Sequence, residues 1–287
     1  MNYPRITVVT PSYNQGQFLE ETILSVIGQQ YPNLEYIIID GGSTDNSVDV
    51  IKKYESKLAY WVSEADRGQA HAINKGFERA TGDILAWLNS DDFYLPSTLA
   101  FVAARLNPAQ SELLFGNCLH IFQDRALVYG SNVRREHEQR NLLLADYIIQ
   151  PSAFWTRAAM QKIGPLDQTL HFGFDWEWFI RSLQAEAKLA AEDKYLSVYR
   201  IHRDHKTGVG GERRLKELAT IYEKYAGVRY EELFLRCCAQ RARILFFREK
   251  FRLVRLNRLE GPLLKTMFPF LFGGFTASEV GDVISML

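Results

Sequence analysis

Four times in the first third of the chain, a short run of β-branched and other apolar residues stops at a polar loop. Arg5-Ile-Thr-Val-Val-Thr10 gives way to Pro11-Ser-Tyr-Asn-Gln-Gly16, and Glu35–Asp40 to Gly-Gly-Ser-Thr-Asp45. Leu58–Ser63 is followed by Glu64-Ala-Asp-Arg-Gly68, and Ile84–Leu88 by Asn89-Ser-Asp-Asp92. Between the runs, apolar residues recur at helical spacing, as in Leu19, Ile23, Val26 and Ile27, or Ala72, Ile73 and Phe77. Buried strands alternating with amphipathic helices predict successive βα units, hence an α/β fold with a mostly parallel sheet flanked by helices. In such sheets ligands collect at the carboxyl ends of the strands, and all four polar loops leave carboxyl ends.

The fourth loop carries two adjacent carboxylates, Asp91 and Asp92. Hard divalent cations such as Mg²⁺ and Mn²⁺ prefer oxygen ligands and usually take one or two protein carboxylates, with water and substrate phosphates completing the shell. Two acids at a strand end therefore suggest a nucleoside-diphosphate site, although a plain turn before Pro96 would use the same residues. Neither the Gly-x-Gly-x-x-Gly fingerprint nor a Gly-x-x-x-x-Gly-Lys loop is present, so dinucleotide and P-loop modes lack their signal.

In order and spacing, Thr10-Pro-Ser-Tyr-Asn14, Asp40-Gly-Gly-Ser-Thr-Asp45, Gly82-Asp83 and Leu88-Asn-Ser-Asp-Asp92 resemble the inverting glycosyltransferases of family 2, which have the GT-A fold. The resemblance covers about residues 4–205. It implies transfer of a sugar from a nucleotide-sugar donor, with UDP-sugars foremost, to an acceptor hydroxyl, aided by Mn²⁺ or Mg²⁺. By that analogy Thr10 and Pro11 belong to the nucleotide-sugar site, Tyr13 lies against the base, and Asp40 contacts base or ribose. Asp92 becomes the leading ligand of the metal, and Asp91 faces the nucleotide sugar. Many relatives carry a second acid where this chain has Gly41, and an acid where it has Asn89. Arg67 and Gln69 either cap the following helix with their loop or approach phosphates and donor sugar at its N-terminus. Asn74, on that helix, joins the nucleotide-sugar candidates.

Inverting transfer needs a carboxylate near the acceptor to remove its proton. In His171-Phe-Gly-Phe-Asp-Trp-Glu-Trp-Phe-Ile-Arg181, Asp175 heads a helical pattern, as an acid does in similar family members. Asp175 is the expected base and Glu177 the reserve, while Trp176 and Trp178 serve either core or a sugar platform. Related transferases often end the catalytic part with Arg-x-His, which makes His202 a metal or phosphate contact, ahead of His205 and Lys206. Leu113–Phe115, Leu119–Phe122 and Ala126–Tyr129 read as separate short strands at the sheet edge, and Arg134–Arg140 as a charged loop.

Formal net charge is zero, so no global field points to nucleic acid. The charge is unevenly placed: residues 1–211 hold 20 Lys+Arg against 25 Asp+Glu, and residues 212–265 hold 14 against 7. The expected organisation is a catalytic domain over 1–210, with a nucleotide-sugar half to about 110 and an acceptor half beyond it, then a basic amphipathic helical extension over 211–287. That extension suits an anionic membrane surface and lipid-linked acceptors, or packing on the core or a second subunit. Thr266–Ser278 is shorter than the roughly 20 apolar residues a spanning helix needs. Three cysteines fit neither a disulfide framework nor a zinc site, and Met1 leads straight into a strand. The expected setting is the cytoplasm, peripheral at most to the inner face of the plasma membrane, in synthesis of a bacterial-type surface glycan. A nucleotidyltransferase would want a Gly-rich basic loop after the first strand, which Pro11–Gln17 lacks. A non-catalytic nucleotide-sugar-binding module is the other alternative.

Overall fold

The first apolar run becomes strand β1 (Ile6–Ser12), two residues longer than expected at its carboxyl end. It pairs in parallel with β2 (Leu34–Asp40), and β2 with β3 (Tyr60–Ser63). On its other side lies β4 (Ile84–Trp87), also parallel. Helices α1 (Gly16–Ile27), α2 (Ser47–Lys53) and α3 (Gln69–Arg79) make the crossovers. The register aligns Ser12 with Asp40 and Asp40 with Ser63, so the loops that follow leave one edge together. The structure, a computed structural model, describes residues 3–123, 127–203, 206, 210–253 and 259–287, with the side chains of 252 and 253 left aside.

Beyond β4 the sheet turns mixed. With β5 (Phe93–Tyr94), β6 (Glu112–Phe122), β8 (Ala153–Thr156) and β9 (Lys188–Ile201), the order is β3-β2-β1-β4-β8-β6-β9-β5. A short β7 (Leu127–Gly130) pairs with β6. The two runs expected as separate edge strands are thus one interior strand, β6. Gly116 and Asn117, which looked like a break, carry a register irregularity instead. A Cβ on Gly116 would stand 2.5 Å from Leu196 of β9, so glycine permits the close approach that keeps the strand continuous. Helices α4 (Thr98–Arg105), α6 (Arg157–Ile163) and α7 (Phe174–Gln184) complete this part, and α5 (Val133–Gln139) leaves it. The charged stretch expected as a loop is therefore largely α5, which the Glu136–Arg140 pair, one turn apart, supports.

Gly82-Asp83, part of the family-like pattern, lies at the amino end of β4. Asp83 accepts the Arg5 N–H at 2.8 Å, and Thr7 Oγ1 accepts the Gly82 N–H at 2.9 Å. Glu35 joins Arg5, Thr7 and Thr81 there. These residues tie strand starts together, away from the loops at the other edge.

The chain folds as two compact units, Met1–Arg134 with Ile148–His205, and Arg135–Tyr147 with Lys206–Leu287. Residues 135–147, assigned from sequence to the acceptor half, group with the C-terminal segment. In that second unit follow α8 (Gly211–Tyr225), α9 (Val228–Ala239), α10 (Arg241–Leu253), α11 (Glu260–Met267), α12 (Pro269–Phe272) and α13 (Ala277–Ser285). Tyr222 and Phe234 pack in its core, and the Tyr222 hydroxyl donates to Leu144 O at 2.6 Å. Asp282 accepts from Asn141 N and Arg140, which fastens 135–147 to α13. Arg248 and Arg241 donate to the carbonyls of Ile284 and Leu287, so part of the basic stripe closes a helix end. Phe246 and Phe270 stay exposed at 54% and 72%. No helix among the described residues is long and apolar enough to cross a membrane. Arg255, Arg258 and His205 lie outside the described residues, as does the Arg252 side chain.

Candidate functional site

Because β1, β2 and β3 end in register, their loops can brace one another. Asp40 is fully buried and its carboxylate takes four donors: Gly42 N, Ser43 N and Oγ, and Ser63 Oγ at 2.7 Å. The side chain, expected to contact base or ribose, here shapes the β2–α2 loop through these protein donors. Thr10, expected in the nucleotide-sugar site, is also buried and bonds Tyr36 OH at 3.0 Å. Pro11 sits inside β1 opposite Ile39, also buried. Both are strand core because β1 runs on to Ser12. The loop that follows is stitched to the β2–α2 loop, with Asn14 N donating to Ser43 Oγ, Thr44 N to Asn14 Oδ1, and Gly16 N to Asp45. Tyr13, between these ties, is 61% exposed. A fixed backbone thus presents a bare aromatic face beside the sheet edge.

The acidic turn separates the two aspartates. Asp92 N donates to Asn89 O at 3.1 Å, closing the turn and sending the Asp92 side chain inward, where it is fully buried. Its oxygens accept from Arg200 N at 3.0 Å and from Asn89 Nδ2 at 3.3 Å, while its carbonyl takes the Thr22 hydroxyl. Burial and the adjacent Asp91 carboxylate push its pKa well above the ordinary range. Asp91 points the other way and meets His202, Oδ2 to Nε2 at 3.1 Å, with the imidazole against Phe18. Asp92, the expected metal ligand, thus points inward, and Asp91, expected to face the nucleotide sugar, is the acid beside His202. Asp91 and His202 bring together one carboxylate oxygen and one ring nitrogen, a donor set that suits Mn²⁺. Two protein donors are also as many as a cation shared with phosphates commonly needs.

Around this pair run contacts that motif spacing did not reveal. Gln69, the first residue of α3, donates to Asn89 Oδ1 at 2.7 Å, and Asn89 in turn reaches Gln150, which also holds Trp87 O. Arg200 bonds Asp91 O and Glu21 and lies over Phe18. Arg200, near the end of β9, and His202, just past it, are two residues apart, so strand periodicity was the available signal for their shared face. Arg67 is exposed and bonds Gln168 at 2.9 Å. Asn74 is not at the surface of α3: it is buried, and its amide bonds both N and O of Leu166. It fixes the turn after α6 and drops out of the nucleotide-sugar set.

Helix α7 begins close to the end of β4, since Phe174 packs against Trp87 with ring centroids 6.3 Å apart. Asp175, the next residue, is partly exposed on the first turn and accepts its neighbour's N–H, from Trp176 at 2.9 Å. Glu177 is 2% exposed and pairs with Arg181 Nε at 2.9 and 3.0 Å, whose other nitrogens reach the carbonyls of Ile163 and Pro165. That removes Glu177 as reserve base, because the buried pair leaves its carboxylate no reach to an acceptor. Trp176 and Trp178 are both core. Glu177→Gln is expected to cost about 3 kcal/mol by leaving Arg181 without its buried counter-charge. Urea unfolding measures this, and an unchanged midpoint would contradict the pairing.

Residues 7–164 match the family described as Glycosyl transferase family 2. The chain belongs to that family. A glycosyltransferase of Mycobacterium tuberculosis is 31% identical over 250 residues, covering 81% of this chain and 90% of its own length. TuaG of Bacillus subtilis, named for teichuronic acid biosynthesis, is 41% identical over 92 residues, 31% of this chain. The aligned segments span only 36% of TuaG and 38% of a Haemophilus influenzae glycosyltransferase. Among solved structures, Staphylococcus aureus TarS 1-349 with UDP superposes with a TM-score of 0.60 at 17% identity, covering 98% of this chain and 90% of that one. The mannosyltransferase PcManGT of Pyrobaculum calidifontis, in complex with GDP-Man and Mn2+, gives 0.60 at 21% identity, over 78% and 64%. This family 2 glycosyltransferase has the GT-A fold, with a helical C-terminal segment.

Proposed function

We propose that this enzyme transfers a sugar, with inversion and with the help of Mn²⁺ or Mg²⁺, from a UDP-sugar to a hydroxyl of a glycan or lipid-linked acceptor in surface-glycan synthesis. The observation that carries the reading is the meeting of Asp91 and His202 at the same sheet edge that presents Tyr13. In this reading the donor's base stacks on Tyr13, and the diphosphate lies toward Asp91 and His202, which hold the cation. A cation held by those two side chains would supply charge to offset that of the leaving diphosphate. Asp92, behind them, holds the turn in shape through Arg200 N and Asn89. Gln69 and the N–H groups opening α3 favour an anion nearby. Asp175 takes the acceptor's proton as the new bond to the sugar's anomeric carbon forms and the bond to diphosphate breaks. The UDP-bound and Mn2+-bound structural neighbours support the donor and metal classes, and TuaG's name supports the pathway class. Exposed Phe246 and Phe270 with Lys250 and Arg243 suit the second unit to an anionic membrane surface.

Titration of UDP-sugars with Mn²⁺ tests the donor site. Tyr13→Ala is expected to weaken binding by about 1–3 kcal/mol, the usual worth of a base on an aromatic ring. Equal affinity in wild type and variant would remove Tyr13 from the site.

A further inference from the structure

The acid turn and the histidine that meets it come from different strands, and one short helical turn before β8, Gln150–Ser152, grips both. Gln150 and Ser152 are buried there. On one side, Gln150 Nε2 donates to the carbonyl of Trp87, the last residue of β4, at 2.8 Å. A carbonyl only accepts, so this bond sets the sense of a whole chain of amides. Gln150 has Oε1 left for Asn89 and takes Asn89 Nδ2 at 3.2 Å, and Asn89 then has Oδ1 left to take Gln69 Nε2 at 2.7 Å. On the other side, the Ser152 hydroxyl bonds Asn117 O of β6 at 2.9 Å and Ser197 Oγ of β9 at 2.6 Å. From Ser197, β9 runs out to His202.

We infer that Gln150 is a positioning residue for the cation seat, a step that rests on the reading of Asp91 and His202 given above. Asn89 opens the turn that Asp92 N closes, and Asp91 stands inside it. The Thr22 hydroxyl of α1 reaches the carbonyls of Ser90 and Asp92 at 2.9 and 2.7 Å, and Arg200 Nε reaches that of Asp91 at 3.0 Å. Those contacts hold the turn's backbone. Gln150 adds what they lack: it ties the side chain that opens the turn to the same buried segment that holds β9. The approach of Asp91 Oδ2 to His202 Nε2 at 3.1 Å is thereby set from both strands. The amides at 89 and 150 are a matched pair, because a carboxylate at 89 would bring a second acceptor against Gln150 Oε1. Partners standing behind metal ligands in this way are commonly worth roughly 10- to 100-fold in metal affinity.

The test is calorimetric titration of UDP into the full chain with and without Mn²⁺, read as the factor by which Mn²⁺ tightens UDP binding, for wild type, Gln150→Met, Asn89→Ala and the double variant. Gln150→Met keeps the volume and removes both ends of the amide. It is expected to shrink the Mn²⁺ factor roughly tenfold or more while UDP affinity without metal stays at the wild-type value. Asn89→Ala should shrink the factor likewise, and the double variant should go no further than the larger single loss, within about twofold, since both changes break one chain. A general loosening of the fold would instead weaken metal-free UDP binding and add up in the double variant. Gln150→Asn, which draws the amide back by one methylene, replaces Gln150→Met if that variant shows no cooperative melt, with the same expected loss. A wild-type Mn²⁺ factor in the position-150 variant, an equal loss of metal-free affinity, or additive losses in the double variant would overturn the role of Gln150 alone. A wild type whose UDP affinity Mn²⁺ leaves unchanged would overturn the reading of Asp91 and His202 as the cation seat, and the role of Gln150 with it.

Discussion

Asp175→Asn is expected to lower glycosyl transfer by roughly 10²- to 10⁴-fold, the usual contribution of a positioned general base. The amide keeps the size of the carboxylate and its acceptor for Trp176 N, so the first turn of α7 is preserved. What it loses is the capacity to take the acceptor's proton. UDP affinity in the presence of Mn²⁺ should stay at the wild-type value, because the proposed donor site lies on other elements. The loss should therefore fall on kcat, and steady-state kinetics with a chosen acceptor separate it from KM. Wild-type turnover in this variant would remove Asp175 from the chemistry. Glu177 could not replace it, given its buried pairing with Arg181.

The second large effect is expected at the cation. Asp91→Asn and His202→Ala should each abolish the enhancement of UDP binding by Mn²⁺, and with it most transfer. Each removes one of the two donors that face each other at 3.1 Å. A cation-neutralised diphosphate is the leaving group of the proposed reaction, and several kcal/mol of charge stabilisation go with it. Chelation of wild type should reproduce the phenotype, and added Mn²⁺ should reverse it in wild type only. Asp92→Asn should behave differently: the site it holds is internal, so thermal stability and transfer are expected to change together. Undiminished Mn²⁺ dependence in both Asp91→Asn and His202→Ala would place the cation elsewhere.

Much of the parallel half was legible because strand and helix signals coincided with loop chemistry. β-Branched runs stopped at polar loops, and parallel pairing of the strands then puts those loops on one edge. The edge itself holds Tyr13, Asp66, Gln69, Asn89 and Asp91, all from loops or helix starts singled out in the sequence. What sequence could not tell was which member of each motif faces outward. Asp91 and Asp92 are adjacent in a tight turn, and only the hydrogen bond from Asp92 N to Asn89 O decides which carboxylate goes inside. Thr10 shares a motif with Tyr13 and Asp40 opens the next one, yet their oxygens are taken by Tyr36 and by the β2–α2 loop. Spacing marks a motif without separating its scaffold from its contacts. Asn74 was misplaced for another reason: its partner, the backbone of Leu166, lies far along the chain and leaves no local signal. The same holds for Gln150 and for the Arg200 N–H, which contribute through groups that periodicity does not register. β6 was divided in two because Gly116-Asn117 has the composition of a turn, and only the close neighbour Leu196 shows why a glycine stands within the strand.

The account depends most on the outward acid and the histidine forming the seat of a cation beside the donor diphosphate. Anomalous scattering at the manganese edge, from crystals grown with UDP and Mn²⁺, locates that ion directly. The expected result is a peak bonded to the carboxylate of Asp91 and to Nε2 of His202, next to the phosphates. A peak away from both side chains, or none in crystals where UDP is bound, would contradict it.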